Sequence, residues 1–373
     1  MNGENINIGS KPLRVIVSPL DWGLGHATRI ITIIKTLQNY DVQVLIAADG
    51  SAAALLQQEF PTLQILSVPG YKIQYAKNKR SFFWKLLSQL PGILKAINAE
   101  NRILNSWAEE YQPDGIISDN RFGFYHPVIP SVYISHQLFI ETGHKWLNKL
   151  AQQIHYKYIN RFSECWVPDF EKGSGLAGKL SHPQQLPAVL TKYLGPLSRF
   201  TRQKENADNG PLLIILSGPE PQRSIWEAQL VKQIKKANMP CIVVRGLPSG
   251  GAPISETPFL RIYDHLPALE LQQQIEDAAL IISRAGYSTV MDLVALRKKA
   301  ILVPTPGQPE QEYLATYLKE QQIFFTSSQE NFDLQQTLNA AKKFITRMPE
   351  EDFKRMNESV ILKWVTDLKK TTA

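Results

Sequence analysis

The feature that most constrains the fold is an abrupt change from an apolar run to small residues near position 285. Residues 279–283 form a short apolar run that is typical of a buried strand. Arg284, Ala285 and Gly286 interrupt this run, and an apolar pattern with helical spacing begins at Val290. This order predicts a strand, a tight turn and a helix N-terminus. The unpaired N–H groups and partial positive charge of a helix N-terminus suit an anion such as a diphosphate.

Polar residues surround the start of this predicted helix. Gly286 lets the backbone approach a ligand, and Ser288 and Thr289 either cap the helix or bind a phosphate. Asp292 lies one helical turn further on, within reach of the ribose of a nucleotide. Because strands followed by a capped helix are common, this unit alone does not decide between an ordinary turn and a nucleotide site.

A second unit of the same kind follows. A predicted strand at 301–303 leads into a Pro-rich loop, and Gln311 and Glu312 open another helix. We expect these two side chains to contact the hydroxyl groups of a sugar. The two units together are more specific than either one, because few folds need both at this spacing.

Length and composition indicate a globular protein with room for two domains. The chain has 373 residues, of which 43% are hydrophobic and 20% charged. Its apolar runs are shorter than the roughly 20 residues of a membrane span, and the N-terminus lacks a secretory pattern, which predicts a cytoplasmic protein. Cys165 and Cys241 lie far apart in apolar surroundings, as reduced core cysteines do, and no metal cluster is expected.

The net charge of +7 is compatible with nucleic acid, with anionic lipid or with solubility alone. Zinc-finger spacing, RNA-binding motifs and a basic low-complexity tail are missing, so nucleic acid is not the expected partner. Residues 72–80 are basic, and residues 82–94 carry aromatic and aliphatic side chains at helical spacing. Such a helix either packs on a sheet or lies in an anionic membrane surface, which makes 72–97 the candidate membrane-facing segment.

The first half of the chain alternates between short apolar runs and helical patterns. Strands are predicted at 13–18, 42–47 and 63–68, and the helix between the last two is predicted at 52–60. This alternation is typical of a doubly wound parallel sheet, whose ligands bind beyond the carboxyl ends of the strands.

Candidate catalytic residues follow strands of this sheet. Gly25 and His26 end a glycine-containing loop that is not a complete dinucleotide motif. His26 either caps the next helix or removes a proton from a hydroxyl group, a role that suits its near-neutral pKa. Asp119 and His136 end two later strands, and each is either a turn residue or a contact to the histidine or the acceptor.

The turn-rich, charged run 193–210 predicts a domain boundary, which we place between residues 196 and 197. The first domain is 1–196, the second is 197–349, and 350–373 has helical spacing. After the boundary, a strand exits into Ser217 and Gly218, a small-residue loop that suits a phosphate.

The whole pattern resembles the nucleotide-sugar glycosyltransferases of the GT-B class. It is most similar to the family of the lipid-linked N-acetylglucosaminyltransferase of peptidoglycan synthesis, most strongly at 18–26, 130–150 and 283–313. The resemblance implies an α/β fold of two Rossmann-like doubly wound parallel-sheet domains that face an interdomain cleft, with the last helix packed back onto the first domain. It also implies inverting, metal-independent transfer from a UDP-sugar without a cofactor, by an enzyme that docks on a membrane.

The resemblance also implies roles for individual residues. Gly25 and His26 match the end of the family's Gly-rich loop, and Arg199 stands where relatives have an arginine near the donor diphosphate. His265 and Leu266 follow a strand where relatives hold the nucleotide base. The candidate donor-binding residues are Gly25, Arg199, Ser217, Gly218, His265, Leu266, Arg284, Gly286, Ser288, Thr289, Asp292, Gln311 and Glu312.

The chain departs from that family at several places, one of which is the pair Pro219 and Pro221, which removes N–H donors from the loop after Gly218. Leu138 and Phe139 are apolar where the peptidoglycan enzyme has polar acceptor-loop residues, and Glu312 replaces one of two paired glutamines. The donor therefore stays open among UDP-N-acetylglucosamine, UDP-galactose and UDP-glucose, and the acceptor is a glycan or a lipid-linked molecule of the cell envelope.

The leading hypothesis is a glycosyltransferase that moves a hexose or N-acetylhexosamine at the inner face of the cytoplasmic membrane. Its catalytic residues would be His26, Asp119 and His136. Two alternatives are a GT-B nucleotide-sugar 2-epimerase or hydrolase, and a catalytically inactive relative that binds nucleotide or lipid.

Overall fold

The structure is a computed structural model that describes residues 12–21, 24–70, 79–142, 145–205, 209–247 and 250–372. In these ranges the chain forms two parallel β-sheets with helices packed around them. Of the predicted membrane-facing segment, 71–78 and the side chains of 79–90 lie outside the described residues. The proposed membrane contact of residues 72–97 therefore stays a prediction.

The first sheet has seven strands in the order β3-β2-β1-β4-β5-β6-β7, all paired in parallel. Its strands are β1 (Arg14–Pro19), β2 (Gln43–Ala48), β3 (Ile65–Ser67), β4 (Gly115–Asp119), β5 (Ser131–Ile134), β6 (Glu164–Val167) and β7 (Leu190–Tyr193). Its helices are α1 (Leu24–Gln38), α2 (Gly50–Glu59), α3 (Lys79–Tyr111) and α4 (Lys145–Ile159). The order reverses at β1, so the gap between the exits of β1 and β4 is where such sheets bind ligands.

The second sheet has six parallel strands in the order β10-β9-β8-β11-β12-β13. Its strands are β8 (Leu212–Ile215), β9 (Cys241–Val244), β10 (Leu260–Tyr263), β11 (Leu280–Ser283), β12 (Ala300–Leu302) and β13 (Phe325–Thr326). Its helices are α5 (Gln222–Ala237), α6 (Ala268–Asp277), α7 (Tyr287–Ala295), α8 (Pro309–Glu320) and α9 (Leu334–Lys342), and α10 (Phe353–Thr372) ends the chain.

The central strands are buried on both faces, as their unbroken apolar sequences predict. Val15, Ile16 and Val17 of β1 and Ile281 and Ile282 of β11 are fully buried. A strand buried on both faces belongs to a sheet covered by helices on each side. The predicted arrangement of two doubly wound domains is therefore confirmed.

The last helix packs against the first domain. Trp364 of α10 lies against the start of β4, where a Cβ on Gly115 would come within 2.6 Å of its ring. Asn357 Nδ2 donates to the carbonyl of Leu194 at 2.6 Å, at the end of the first sheet. The helix thus closes the chain back over the domain in which it began.

Helix α8 begins two residues earlier than predicted. Pro309 starts the helix, because its fixed φ suits the first turn and its missing N–H is not needed there. The first turn therefore contains Glu310 before Gln311 and Glu312. This shift changes which side chain reaches the first domain. In the described part of the chain, no helix is long and apolar enough to span a membrane.

Candidate active site

The carboxyl ends of both sheets open onto one cleft between the domains. On one side, β1 leads to His26, β4 ends at Asp119 and β5 leads to His136. On the other side, β11 leads into α7. The two sides touch, since Ser288 Oγ donates a hydrogen bond to the carbonyl of Gly25 at 3.1 Å. The predicted catalytic residues and the predicted diphosphate helix therefore face each other.

A histidine and a buried carboxylate lie side by side on the first-domain wall. Asp119 Oδ2 is 3.2 Å from His26 Nδ1, and the Asp119 side chain is fully buried. Arg29, one helical turn after His26, forms a fork with this carboxylate: its Nε donates to Oδ2 at 2.6 Å and its Nη2 donates to Oδ1. The same Nη2 lies 2.7 Å from His26 Nδ1. Arg29 and Asp119 thus meet each other and the His26 ring at Nδ1 of that ring.

The charges in this group are set by burial and by Arg29. Burial alone would raise the pKa of Asp119, but Arg29 and then His26 outweigh it and hold the pKa at about 2. Burial, and next Arg29, lower the pKa of His26, so its ring is neutral near pH 7. A neutral imidazole beside an ionised carboxylate has the protonation state that a general base needs.

His136 connects the two domains through the cleft. Its Nε2 lies 2.8 Å from Oε1 of Glu310, in the first turn of α8. Its ring stacks on that of Tyr287, at the start of α7, with the centroids 4.2 Å apart. Burial would raise the pKa of Glu310, but His136, together with His26 and Arg29, outweighs burial and lowers that pKa. A second histidine–carboxylate pair therefore spans the domains beside the first.

The N-terminus of α7 is not capped by a side chain. Gly286 is the N-cap residue, and Val290 makes the first helical hydrogen bond, back to its carbonyl. The N–H groups of residues 287–289 therefore have no acceptor within the helix. A Cβ on Gly286 would have no neighbouring protein atom within 4 Å. The capping alternative for Ser288 is not seen, because its hydroxyl points to Gly25. Thr289 lies in the same first turn.

Arg284 lies beneath the cleft and does not line it. Its side chain is only 1% exposed, and its guanidinium donates to the carbonyls of Val303, Pro304 and Gln222 at 3.3 to 3.4 Å. Its Nε has no hydrogen-bond partner among the described residues. Burial lowers the pKa of Arg284 to about 10, so the group is still charged near pH 7. Arg284 fixes the loops at the strand exits and adds positive charge under them.

The loop after β8 lies at the surface next to these exits. Ser217 and Gly218 are exposed, and Gly218 has a φ of 106°, in the region that favours glycine. The hydroxyl of Thr305, in the loop after β12, is buried and has no hydrogen-bond partner among the described residues. It would lie 3.9 Å from a Cβ on Gly218. The two loops therefore approach each other closely at the strand exits.

Several predicted nucleotide-binding residues lie around Ser198 and Arg199, within the predicted boundary run 193–210. Ser198 Oγ donates to Asp292 Oδ1 at 2.6 Å. Burial raises the pKa of Asp292 to about 6, although Arg199 and Ser198 act in the opposite direction. Burial and then Arg199 lower the pKa of His265, while Leu266 is buried in the core beside it. Asp292 is thus ionised near pH 7 and able to accept hydrogen bonds from a ribose.

Gln311 and Glu312 hold the loop before α8. Oε1 of Gln311 accepts from the backbone N–H of Thr305 at 2.9 Å, and Oε1 of Glu312 accepts from that of Gly307 at 3.1 Å. The carboxylate that faces the first domain belongs instead to Glu310. The sequence prediction therefore identified the correct turn of helix, but it did not include the residue that faces the opposite wall.

The residues that the sequence analysis missed are those whose partners lie far along the chain. Arg29 stands on an otherwise apolar face of α1, and a lone arginine among buried isoleucines is a signal that was available. Glu310 precedes the two predicted sugar residues directly. Glu310 has no comparable signal in the sequence, and only the fold places it beside His136.

The free cysteines Cys165 and Cys241 are both buried, as predicted. In the described ranges, no three His, Cys, Asp or Glu side chains are grouped so as to hold a metal ion. Independence from metals and cofactors stays a prediction of the family resemblance.

Comparison with known sequences finds one matching domain family, in the last third of the chain. Residues 256–371 match the family model of the glycosyltransferase family 28 C-terminal domain. A UDP-N-acetylglucosamine--N-acetylmuramyl-(pentapeptide) pyrophosphoryl-undecaprenol N-acetylglucosamine transferase from an Exiguobacterium species is 24% identical over 308 residues, which cover 79% of this chain and 80% of the relative. The enzyme of the same name from Haemophilus ducreyi is 22% identical over 336 residues, with 86% and 87% covered.

Comparison with solved structures concerns the fold. The glycosyltransferase of kitacinnamycin matches 97% of this chain and 100% of its own with a TM-score of 0.65 and 14% identity. MurG of Acinetobacter baumannii matches 96% of this chain and 95% of its own with a TM-score of 0.51 and 14% identity. These matches confirm the predicted GT-B fold of two Rossmann-like domains.

Proposed function

We propose that this chain, a glycosyltransferase with the GT-B fold and a family 28 C-terminal domain, moves a sugar from a UDP-sugar to a lipid-linked acceptor with inversion. The observation that carries the proposal is the uncapped N-terminus of α7, which lies across the cleft from His26 and Asp119. The relatives are named N-acetylglucosamine transferases, which makes UDP-N-acetylglucosamine the first donor to test.

In this proposal the second domain stabilises the leaving group. The diphosphate of the donor lies against the N–H groups of residues 287–289, and Asp292 accepts hydrogen bonds from the ribose. When the bond between the anomeric carbon and the diphosphate breaks, its electron pair stays on the diphosphate. The preorganised N–H groups and the helix dipole stabilise that charge, and Arg284 adds to the field from beneath. This arrangement requires no metal ion.

The first domain activates the acceptor. His26 removes the proton of the acceptor hydroxyl while its oxygen bonds to the anomeric carbon from the side opposite the diphosphate. One bond forms as the other breaks, so the configuration inverts. Asp119 is ionised and lies 3.2 Å from the His26 ring, where it stabilises the imidazolium that forms.

A screen of nucleotide sugars by thermal shift, followed by turnover with the best donor, tests this function. We expect UDP-sugars to raise the melting temperature more than GDP- or TDP-sugars, and the shift to be smaller in Asp292→Asn. UDP release should accelerate when a polyprenyl-linked sugar is added as acceptor. Equal release without acceptor would favour a hydrolase or epimerase, and no thermal shift with any nucleotide would leave only an inactive relative.

An exposed apolar stripe on α4 supports an acceptor that is held in a membrane. Trp146, Leu150 and Ile154 are 69%, 48% and 51% exposed and are spaced one helical turn apart. Lys149 and Lys157 are exposed on the same helix, which has no acidic residue. Helix α4 follows the loop at the carboxyl end of β5, so the stripe starts near the cleft. We propose that it rests on an anionic lipid surface at the inner face of the cytoplasmic membrane.

The double variant Trp146→Ser, Leu150→Ser is expected to sediment several-fold less with vesicles that contain phosphatidylglycerol, because it loses most of the apolar stripe. Its affinity for UDP should not change. Ile225→Ser is the matched control, since Ile225 is 50% exposed on α5 of the second domain. Equal sedimentation of the double variant and the wild type would contradict the proposed surface.

A further inference from the structure

Arg29 and Asp119 both contact the same nitrogen of His26, so Asp119 is not the only partner of that nitrogen. Arg29 Nη2 is 2.7 Å from His26 Nδ1, which is closer than the 3.2 Å between Nδ1 and Asp119 Oδ2. The guanidinium also forms the two-point fork with both carboxylate oxygens. Arg29 is 2% exposed, so water does not compete for these contacts. The arginine therefore decides how the histidine and the carboxylate share their proton.

The chemistry of the three groups fixes the proton on the ring. A guanidinium has only N–H donors, so the contact between Arg29 and His26 requires Nδ1 to be the acceptor. A neutral imidazole carries one N–H, which must then be on Nε2. The described contacts of His26 are all at Nδ1, which leaves Nε2 for the substrate. A ring with its proton on Nε2 donates a hydrogen bond there and cannot accept the proton of a hydroxyl.

Base catalysis at Nε2 needs the other tautomer. The proton must be on Nδ1, where Asp119 Oδ2 accepts it, and Nε2 must carry the lone pair. Both arrangements are within reach of the same three side chains, because Nδ1 lies within 3.2 Å of a donor and of an acceptor. The Arg29 contact favours the tautomer that is not a base.

We propose that Arg29 is a positioning residue that sets the tautomer of His26 and holds the base inactive until its contact with Nδ1 is released. The proposal rests on the function proposed above, in which His26 is the base. It gives the cleft a way to limit attack by water on a bound donor, because the base forms only after a rearrangement within the site.

Among the described residues, four charged or ionisable groups face His26 from the elements packed around it. They are Arg29 on α1, Asp119 at the end of β4, His136 after β5 and Glu310 on α8. Burial, and then the charge of Arg29, lower the pKa of His26, whereas Asp119 raises it. Removal of the Arg29 charge therefore raises this pKa and leaves Asp119 as the partner of Nδ1.

The first test is the tautomer of the wild-type enzyme, read from the ¹⁵N resonances of its labelled histidines, with His26 assigned by comparison with His26→Gln. We expect the proton on Nε2 in the protein without substrates. A proton on Nδ1 would overturn the proposal. This measurement does not depend on glycosyl transfer, so its failure is distinct from an enzyme that shows no transfer, which would count against the proposed function.

The second test is Arg29→Met, which removes the charge and the donors but keeps a side chain of similar length. We expect its His26 proton to move to Nδ1 and the acidic limb of its pH–rate profile to shift to higher pH. Arg29→Lys keeps the charge without the planar fork. The acidic limb of its pH–rate profile should lie between those of the wild type and Arg29→Met. UDP affinity should stay unchanged in both, since Arg29 lies on the first-domain wall.

An Arg29→Met enzyme that folds with the wild-type tautomer and the wild-type pH profile would overturn the proposal. Its melting temperature and circular dichroism report whether it folds. If Arg29→Met does not fold, because Asp119 then lacks its arginine, the wild-type ¹⁵N spectrum and the pH–rate profile of Arg29→Lys still test the proposal. Neither measurement uses the uncharged variant.

Discussion

Alanine at position 26 is expected to lower kcat by about 10²- to 10⁴-fold, the contribution typical of general acid–base catalysis. The affinity for UDP should stay close to that of the wild type, because the proposed nucleotide contacts lie in the second domain. The variant should also fold, since Arg29 still pairs with both oxygens of the buried Asp119. Transfer rates at saturating donor, together with calorimetric titration of UDP, check both parts of this expectation.

His182→Ala is the matched control for this experiment. His182 belongs to the same domain, and the described contacts of its side chain are with Ser181, Glu171 and Tyr193. It should transfer sugar at the wild-type rate. If His26→Ala did the same, His26 would not be the base, and the pair across the cleft, His136 with Glu310, would become the next candidate.

Valine in place of Gly286 is expected to raise the KM for the donor by at least about tenfold, or ~1.4 kcal/mol. Gly286 has a φ of −76° and a ψ of 136°, which any residue adopts, and its Cβ would meet no protein atom within 4 Å. The folded chain therefore tolerates the new side chain, and only a ligand on the helix N-terminus would meet it. Loss of a glycine N-cap costs about 1 kcal/mol, which a melting curve will show.

Gly92→Val is the matched control, because a Cβ at Gly92 also has no neighbour within 4 Å. It should leave the donor KM unchanged. Gly25 is a less clean position, since a Cβ there would come within 2.8 Å of Ser288 Oγ and would disturb the contact between the domains. An unchanged KM in Gly286→Val would mean that the diphosphate does not lie on α7.

Features that depend on neighbouring residues were predictable from the sequence. The strand, turn and helix around Gly286 are encoded by a short apolar run, a glycine and a helical pattern that follow one another directly. The same holds for β1, its loop and α1, which place His26 at the cleft. Local signals of this kind fix the backbone, and the parallel sheet then brings the strand exits together.

Contacts between distant residues were not predictable. Arg29 and Asp119 are 90 residues apart, and His136 and Glu310 are 174 residues apart in different domains. Only the packing of α1 on the sheet and of one domain on the other brings them together. Single-sequence patterns carry no record of such pairs, so the two side-chain pairs that organise the cleft became visible only in the folded chain.

The orientation of side chains at strand exits was a further limit. Arg284 follows β11 directly, and alternation along a strand directs consecutive side chains to opposite faces. In the structure its guanidinium lies 5.3 Å from the ring centroid of Trp226 on α5, below the loops and away from the cleft. The start of α8 at Pro309 limited the prediction in the same way. It places Glu310 in the first turn, so Glu310 reaches the first domain in place of the predicted Gln311 and Glu312.

A crystal structure of the protein with UDP tests the central claim most directly. The account predicts that the diphosphate oxygens lie within hydrogen-bond distance of the backbone nitrogens of residues 287–289, with the ribose against Asp292 and the open side of the site toward His26. A diphosphate bound away from the start of α7, or on the far side of the second domain from His26, would contradict it.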